Sequence, residues 1–275
     1  MRKILLSLLT VSAVAVVAVV ATGAYFNDVE TSQDNTFTAG ELDLKVDSEC
    51  QYYQNNVDVG CGPNGTWSEG DLTNEKFFFF DDVKPGDRGE NTISLHVYDN
   101  DAWGKLVISA VQDLENTCEE PEEDVEGALC TTPDGELREN LSFWVWVDQG
   151  NVDGFQCSTA GSGTPGVAKC ALDPLEGDNV WQDTNEPLII TPGDIDALGE
   201  TWNIWEGLQA AWVFNGSQNT DGIVQDGRMV GSITYYFGVG WDLPSSVGNE
   251  VQSDSFSGDM TINVTQYRNN PSKLF

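Results

Sequence analysis

The chain has 275 residues, with 12 Lys and Arg against 45 Asp and Glu, so it carries a formal net charge of −33 at pH 7. Affinity for phosphate backbones rests on Lys and Arg neutralisation with counterion release, so this composition excludes general nucleic-acid binding and favours cationic partners or divalent metals. Hydrophobic residues make up 40% of the chain and nine are Trp, which is enough apolar material for a large core and excludes a disordered chain.

The first element is an address. Met1-Arg2-Lys3 is a short basic start, Ile4 to Val20 is a nearly unbroken apolar run, and Ala21-Thr22-Gly23-Ala24 closes it with small residues. This reads as a secretory signal peptide over residues 1–24 with cleavage between Ala24 and Tyr25. The run is longer than an ordinary signal core, so an uncleaved membrane anchor is the other reading. Both place the body outside the cytoplasm, secreted or held at the cell surface, with the membrane touched only by this segment. Residues 25–275 read as one domain.

Strand and turn patterns dominate that domain. Asn35 to Val46 is extended, with Leu42, Leu44 and Val46 alternating. Phe77 to Phe80 runs into the turn Lys84-Pro85-Gly86-Asp87, where Pro presets φ and Gly permits a positive one. Ile93, Leu95 and Val97 alternate with Ser94, His96 and Tyr98 as a half-buried strand, and beyond the polar tip Asp99-Asn100-Asp101 the run Leu106 to Ile108 is expected to complete a hairpin. Leu141 to Val147 puts Phe143, Val145 and Val147 on one face and Trp144 and Trp146 on the other, a strand covered on both sides. One short helix is expected from Thr191, with Pro192 in its first turn and Ile195 and Leu198 on its apolar side. Ile233 to Val239 and the alternation of Met260, Ile262 and Val264 close the chain with strands. The pattern predicts an all-β fold: an antiparallel, jelly-roll-like β-sandwich with loop insertions and one short helix.

Six cysteines fall into neighbouring couples, Cys50/Cys61, Cys118/Cys130 and Cys157/Cys170. Closure of short loops costs the least entropy, so pairing within each couple is expected, each bond pinning an insertion. The chain has one histidine, His96, in an alternating strand, so a two-histidine metalloprotease helix is excluded by counting and His96 reads as structural. The sharpest metal candidate is the turn Asp148-Gln149-Gly150-Asn151-Val152-Asp153-Gly154, where Asp148, Asn151 and Asp153 offer oxygens of the kind Ca²⁺ prefers. An ordinary solvated turn is its plain alternative. The run Glu119 to Asp124 reads as a solvated insertion tip, and of four N-x-S/T sequons, Asn64 and Asn215 lie in the more exposed, glycine-containing loops.

The segments Tyr25-Phe26-Asn27-Asp28-Val29 and Asn35-Thr36-Phe37-Thr38-Ala39-Gly40-Glu41-Leu42-Asp43-Leu44, the Lys84 to Asp87 turn, and Gly248 to Ser255 followed by Met260 to Gln266 and Arg268-Asn269-Asn270 together resemble the TasA/camelysin family of secreted matrix-fibre proteins. The resemblance implies a jelly-roll subunit released by a SipW-type signal peptidase and polymerising outside the cell with copies of itself and other matrix or surface proteins. It also implies that the N-terminal segment, within residues 25–46, adds as a donor strand to the next subunit, with Tyr25 at its head and Phe26, Val29 and Phe37 as plugs. A first strand of the chain's own sandwich is the other reading of that segment. Strong acidity and the cysteine couples depart from the familiar fibre proteins. An adhesin or carbohydrate-binding module, with Trp202, Trp205 and Trp212 as an aromatic platform, is the alternative function. No catalytic constellation is legible, because among 45 acidic residues any carboxylate pair can be picked by eye.

Overall fold

The computed structural model describes residues 42–62, 64–118, 120–127, 133–150, 155–156, 170–171, 174–193, 201–218 and 221–275. In chain order its strands are β1 (Asp43–Gln54), β2 (Val57–Asp58), β3 (Trp67–Gly70), β4 (Arg88–Tyr98), β5 (Ala102–Leu114), β6 (Ser142–Val147), β7 (Phe155–Gln156), β8 (Cys170–Ala171), β9 (Leu188–Gly193), β10 (Thr201–Asn203), β11 (Ile233–Asp242) and β12 (Ser255–Gln266). The helices are α1 (Glu120–Glu126), α2 (Leu137–Asn140) and α3 (Ile204–Phe214), and a 3-10 turn spans Asn249–Val251.

Among the described residues two antiparallel sheets result, beside the short parallel pair β7-β8. The larger runs β2-β1-β4-β11-β6-β9, with β3 also on β1, and the smaller runs β10-β5-β12. β4 lies inside the large sheet because its alternation supplies one fully apolar row, Ile93, Leu95 and Val97, opposite Ser48, Val46 and Leu44 of β1 and Phe237, Tyr235 and Ile233 of β11. The core gathers these rows with Phe143, Val145 and Val147 of β6, and partly buried Ile108, Met260, Ile262 and Val264 of the small sheet pack against it. The all-β sandwich read from the sequence is therefore the fold.

Three local expectations are corrected. β4 and β5 do not form a hairpin: both edges of β4 are taken by β1 and β11, so the chain turns at Asp99, with φ of 65°, and β5 crosses to the small sheet. Residues Thr191 to Gly193, expected to open a helix, end strand β9 opposite Phe143, and residues 194–200 lie outside the described residues. Among the described residues the longest helix is instead α3, where Ile204, Leu208 and Ala211 recur at helical spacing and are buried. Third, Asp43 to Val46, the last four residues of the candidate donor segment, pair with Tyr98 to Leu95 in the chain's own sheet, which confines any donor strand to residues before Asp43.

The β1 to β2 connection is a two-residue loop, Asn55 and Asn56, with φ of 51° and 62°. Two left-handed residues match the twist of a hairpin, and Asn is among the few types that tolerate them. Cys50 and Cys61 are disulfide-bonded across this hairpin with Cα atoms 6.0 Å apart. Cys118 is disulfide-bonded as well, while Cys130 and Cys157 lie outside the described residues. Among the described residues no helix is long and apolar enough to cross a membrane.

Candidate functional site

The small sheet ends on an open edge. β12 pairs with β5 from Ser255 opposite Leu114 to Gln266 opposite Ala102, and among the described strands it has no partner on its other side. It therefore presents up to 12 residues of edge, part of whose backbone N–H and C=O groups face outward. Its inward row, Phe256, Met260, Ile262 and Val264, packs against the core yet stays only partly buried. An edge of unpaired backbone above half-covered apolar side chains is what a further strand would complete, by main-chain hydrogen bonds and by filling the spaces between alternate side chains. Tyr25, Phe26, Val29 and Phe37, the assembly residues read from the sequence, and the Ala24/Tyr25 junction lie outside the described residues.

Of the metal candidates, Asp148 is described and Asn151 and Asp153 are not. Asp148 sits beneath the surface rather than in a solvated turn. Its Oδ2 accepts from Thr92 Oγ1 at 3.0 Å, its Oδ1 accepts from the Gly177 amide at 2.9 Å, and it shares a hydrogen bond with the carboxyl of Glu186. Glu186 is itself buried, accepting from the Gly150 amide at 3.1 Å and the Gln182 amide at 2.9 Å. Burial holds both carboxyls above the ordinary carboxylate range. Nearby Glu90, on the same face of β4 as Thr92, is pushed up to about 9, first by burial and then by the negative charges of Asp148, Asp178 and Glu186. This group of carboxyls ties the 174–186 segment to the outer face of the large sheet, and Asn179 Oδ1 adds an acceptor for the Thr92 amide at 2.7 Å.

A second carboxylate cluster is invisible in the sequence because its members come from four separate places. Glu115 follows β5, Glu122 and Glu126 are on α1, Glu136 precedes α2, and Asp254 precedes β12. Carboxylate oxygens of Glu115, Glu122 and Asp254 lie within 4.8 Å of one another, as do those of Glu115, Glu126 and Glu136. The run read as a solvated tip thus turns one residue inward: Glu122 is fully buried, and Ser253 Oγ donates to its Oε2 at 3.3 Å. Asp254 Oδ2 accepts the amides of Glu136 and Leu137 at 2.6 and 3.0 Å. Desolvation, reinforced by the neighbouring carboxylates, lifts Glu115 to about 7 and raises Glu136 and Asp254. The donors are all oxygens, a set that fits a hard cation such as Ca²⁺ rather than Zn²⁺.

His96 is engaged within the sheet. Its Nε2 lies 2.5 Å from Asp47 Oδ2 and its Nδ1 2.9 Å from Thr234 Oγ1, all three on neighbouring strands. The three tryptophans of the expected platform separate: Trp202 packs edge-on against Phe237, Trp212 lies against the core, and Trp205 meets Trp103 and Phe275.

Residues 2–61 match the model of the family described as camelysin metallo-endopeptidase. The N-terminal stretch is thus similar to the TasA/camelysin family, and the match takes in β1, β2 and the Cys50–Cys61 disulfide. Residues 62–275 lie outside it. No curated protein matches the chain.

Proposed function

We propose, from this family match and the open edge of β12, that the chain is a secreted structural subunit of an extracellular fibre or cell-surface matrix. After cleavage before Tyr25, the segment ahead of Asp43 leaves its own subunit and lies along β12 of the next, where Phe26, Val29 and Phe37 cover the half-buried row Met260, Ile262 and Val264. The contact is head to tail and does not close on itself, so it grows a filament. The single observation that carries the reading is that row of core side chains left partly uncovered beneath an unpaired strand edge.

The family description names a peptidase, and we read this chain as structural instead. Its one histidine is held by Asp47 and Thr234, and its carboxylate clusters anchor segments to the sandwich. Any Ca²⁺ requirement of the fibre belongs to these carboxylates.

Negative-stain electron microscopy of protein beginning at Tyr25, with and without millimolar Ca²⁺, tests the proposal. Filaments are expected, and deletion of Tyr25 to Asp34 should leave a folded monomer that binds a synthetic peptide of residues 25–41. Filament growth unaffected by the deletion would overturn the donor-strand reading.

A further inference from the structure

In a chain with 45 acidic residues and 12 basic ones, a lysine is expected to find a carboxylate. Lys273 does not: among the described residues no carboxylate lies within ion-pair distance of its ammonium. Its Nζ instead stands 4.4 Å from the ring centre of Trp103 and 5.5 Å from that of Trp205. The two indoles meet edge to face with centres 6.2 Å apart, which forms a corner with two π-faces turned toward one cation. Tyr267 closes against Trp103 at 5.1 Å and Phe275 stacks on Trp205 at 5.9 Å, and these outer rings carry cations of their own, Arg228 over Tyr267 at 4.7 Å and Lys105 over Phe275 at 4.4 Å.

The segment after β12 is built to deliver that ammonium. Asn270 clamps Leu274 through both ends of its amide, with Nδ2 donating to the Leu274 carbonyl at 3.0 Å and Oδ1 accepting from its amide at 2.9 Å. Trp103 Nε1 donates to the Asn270 carbonyl at 2.9 Å, fixing the strap to the ring it covers. Lys273 itself takes a left-handed backbone, φ of 50°, a conformation uncommon for a residue with a side chain.

We propose that Trp103 and Trp205 form an ammonium-binding aromatic cage, and that Lys273 is its resident occupant. With Lys273 withdrawn, the cage takes an alkylated ammonium from outside the molecule, either a quaternary head group of the choline type or a lysine side chain of another protein. Desolvated ammonium over tryptophan is the strongest form of cation–π recognition, and quaternary groups favour it because they lose little hydration on entry. The inference needs no filament: Trp103 lies opposite Thr265 of β12, out of step with the inward row of Met260, Ile262 and Val264 on which the assembly reading rests.

The test is titration of Lys273→Ala with tetramethylammonium, choline and Nα-acetyl-lysine methylamide, each against NaCl of equal ionic strength. Binding is followed at the indole N–H resonances of Trp103 and Trp205. A saturable shift confined to those two indoles is expected in the variant, with at least about tenfold weaker binding in the wild-type chain, where Lys273 competes. Lys273→Arg keeps the cage occupied and should behave as wild type. Saturation by choline and tetramethylammonium alone assigns a head group as the source, and saturation by the lysine amide assigns a protein side chain. Shifts that merely follow ionic strength, or wild-type binding as tight as the variant's, would overturn the proposal. If Lys273→Ala fails to fold, Lys273→Met keeps the aliphatic packing of the side chain and serves the same titration.

Discussion

Gln149 and Asn215 face each other amide to amide. Gln149 Nε2 donates to Asn215 Oδ1 at 2.8 Å, and Asn215 Nδ2 returns a hydrogen bond to Gln149 Oε1 at 3.0 Å. The pair joins the exit of β6 to the end of α3, and Gln149 is buried. Asn215 also heads a sequon that reads as exposed in the sequence, but the nitrogen a glycan would occupy is spent inside the protein.

Asn215→Ala is expected to destabilise the fold by roughly 1–3 kcal/mol, because it leaves the buried Gln149 Oε1 without its donor, while Gln149 Nε2 keeps the Asn185 carbonyl at 2.9 Å. A double-mutant cycle with Gln149→Ala should give clear coupling; additive losses would show that the two amides do not depend on each other. Glycopeptide mass spectrometry after expression in a glycosylating host should find Asn215 unmodified in folded protein.

Gly238 and Gly240 alternate along β11 beneath two indoles. A methyl group on Gly238 would come within 2.0 Å of the Trp146 ring, and one on Gly240 within 2.2 Å of Trp144. Trp146 is 1% exposed and has nowhere to go, whereas Trp144 is half-buried and can swing outward. Gly238→Ala should therefore cost about 3 kcal/mol or more and Gly240→Ala distinctly less, as read by urea unfolding. Equal losses would contradict the difference in burial.

Glu90 predicts a particular pH dependence. Its carboxyl titrates near 9 in the folded chain against about 4.3 when unfolded, so between those values the folded state holds one more proton. Stability contributed by this group is greatest below about pH 4 and falls as pH rises toward 9, by at most about 1.4 kcal/mol per pH unit. Glu90→Gln removes the titration, so its unfolding midpoint relative to wild type should climb steadily from pH 5 to pH 9. A constant offset across that range would refute the assignment.

The Cys50–Cys61 bond closes a loop with a sequence separation of 11. Chain entropy assigns such a loop about 3 kcal/mol. Replacing both cysteines by Ser should lower the stability of the β1–β2 hairpin by that order, read as faster amide exchange at Tyr53 and Asp58. Protection as strong as in the oxidised chain would mean the Asn55-Asn56 turn alone holds the register.

The alternation of Ile93, Leu95 and Val97, of Phe143, Val145 and Val147, and of Met260, Ile262 and Val264 was sufficient to place these strands and their inward rows. Period-two burial is a local property that survives any arrangement of the sheets. The turn at Lys84 to Asp87 and the N-terminal family signature are local in the same sense, as was the proximity that pairs Cys50 with Cys61. What sequence could not supply is which strands become neighbours. β4 has both edges filled by strands far away in the chain, and that competition, absent from any short window, sends β5 into the other sheet. Thr191-Pro192-Gly193 carries good helix-start chemistry, yet pairing with Phe143 overrides it. The carboxyl pair Asp148 and Glu186, the cluster around Glu115 and the cage of Trp103 and Trp205 each join residues distant in sequence. Only tertiary packing excludes the water that would otherwise leave those acids as ordinary surface charges.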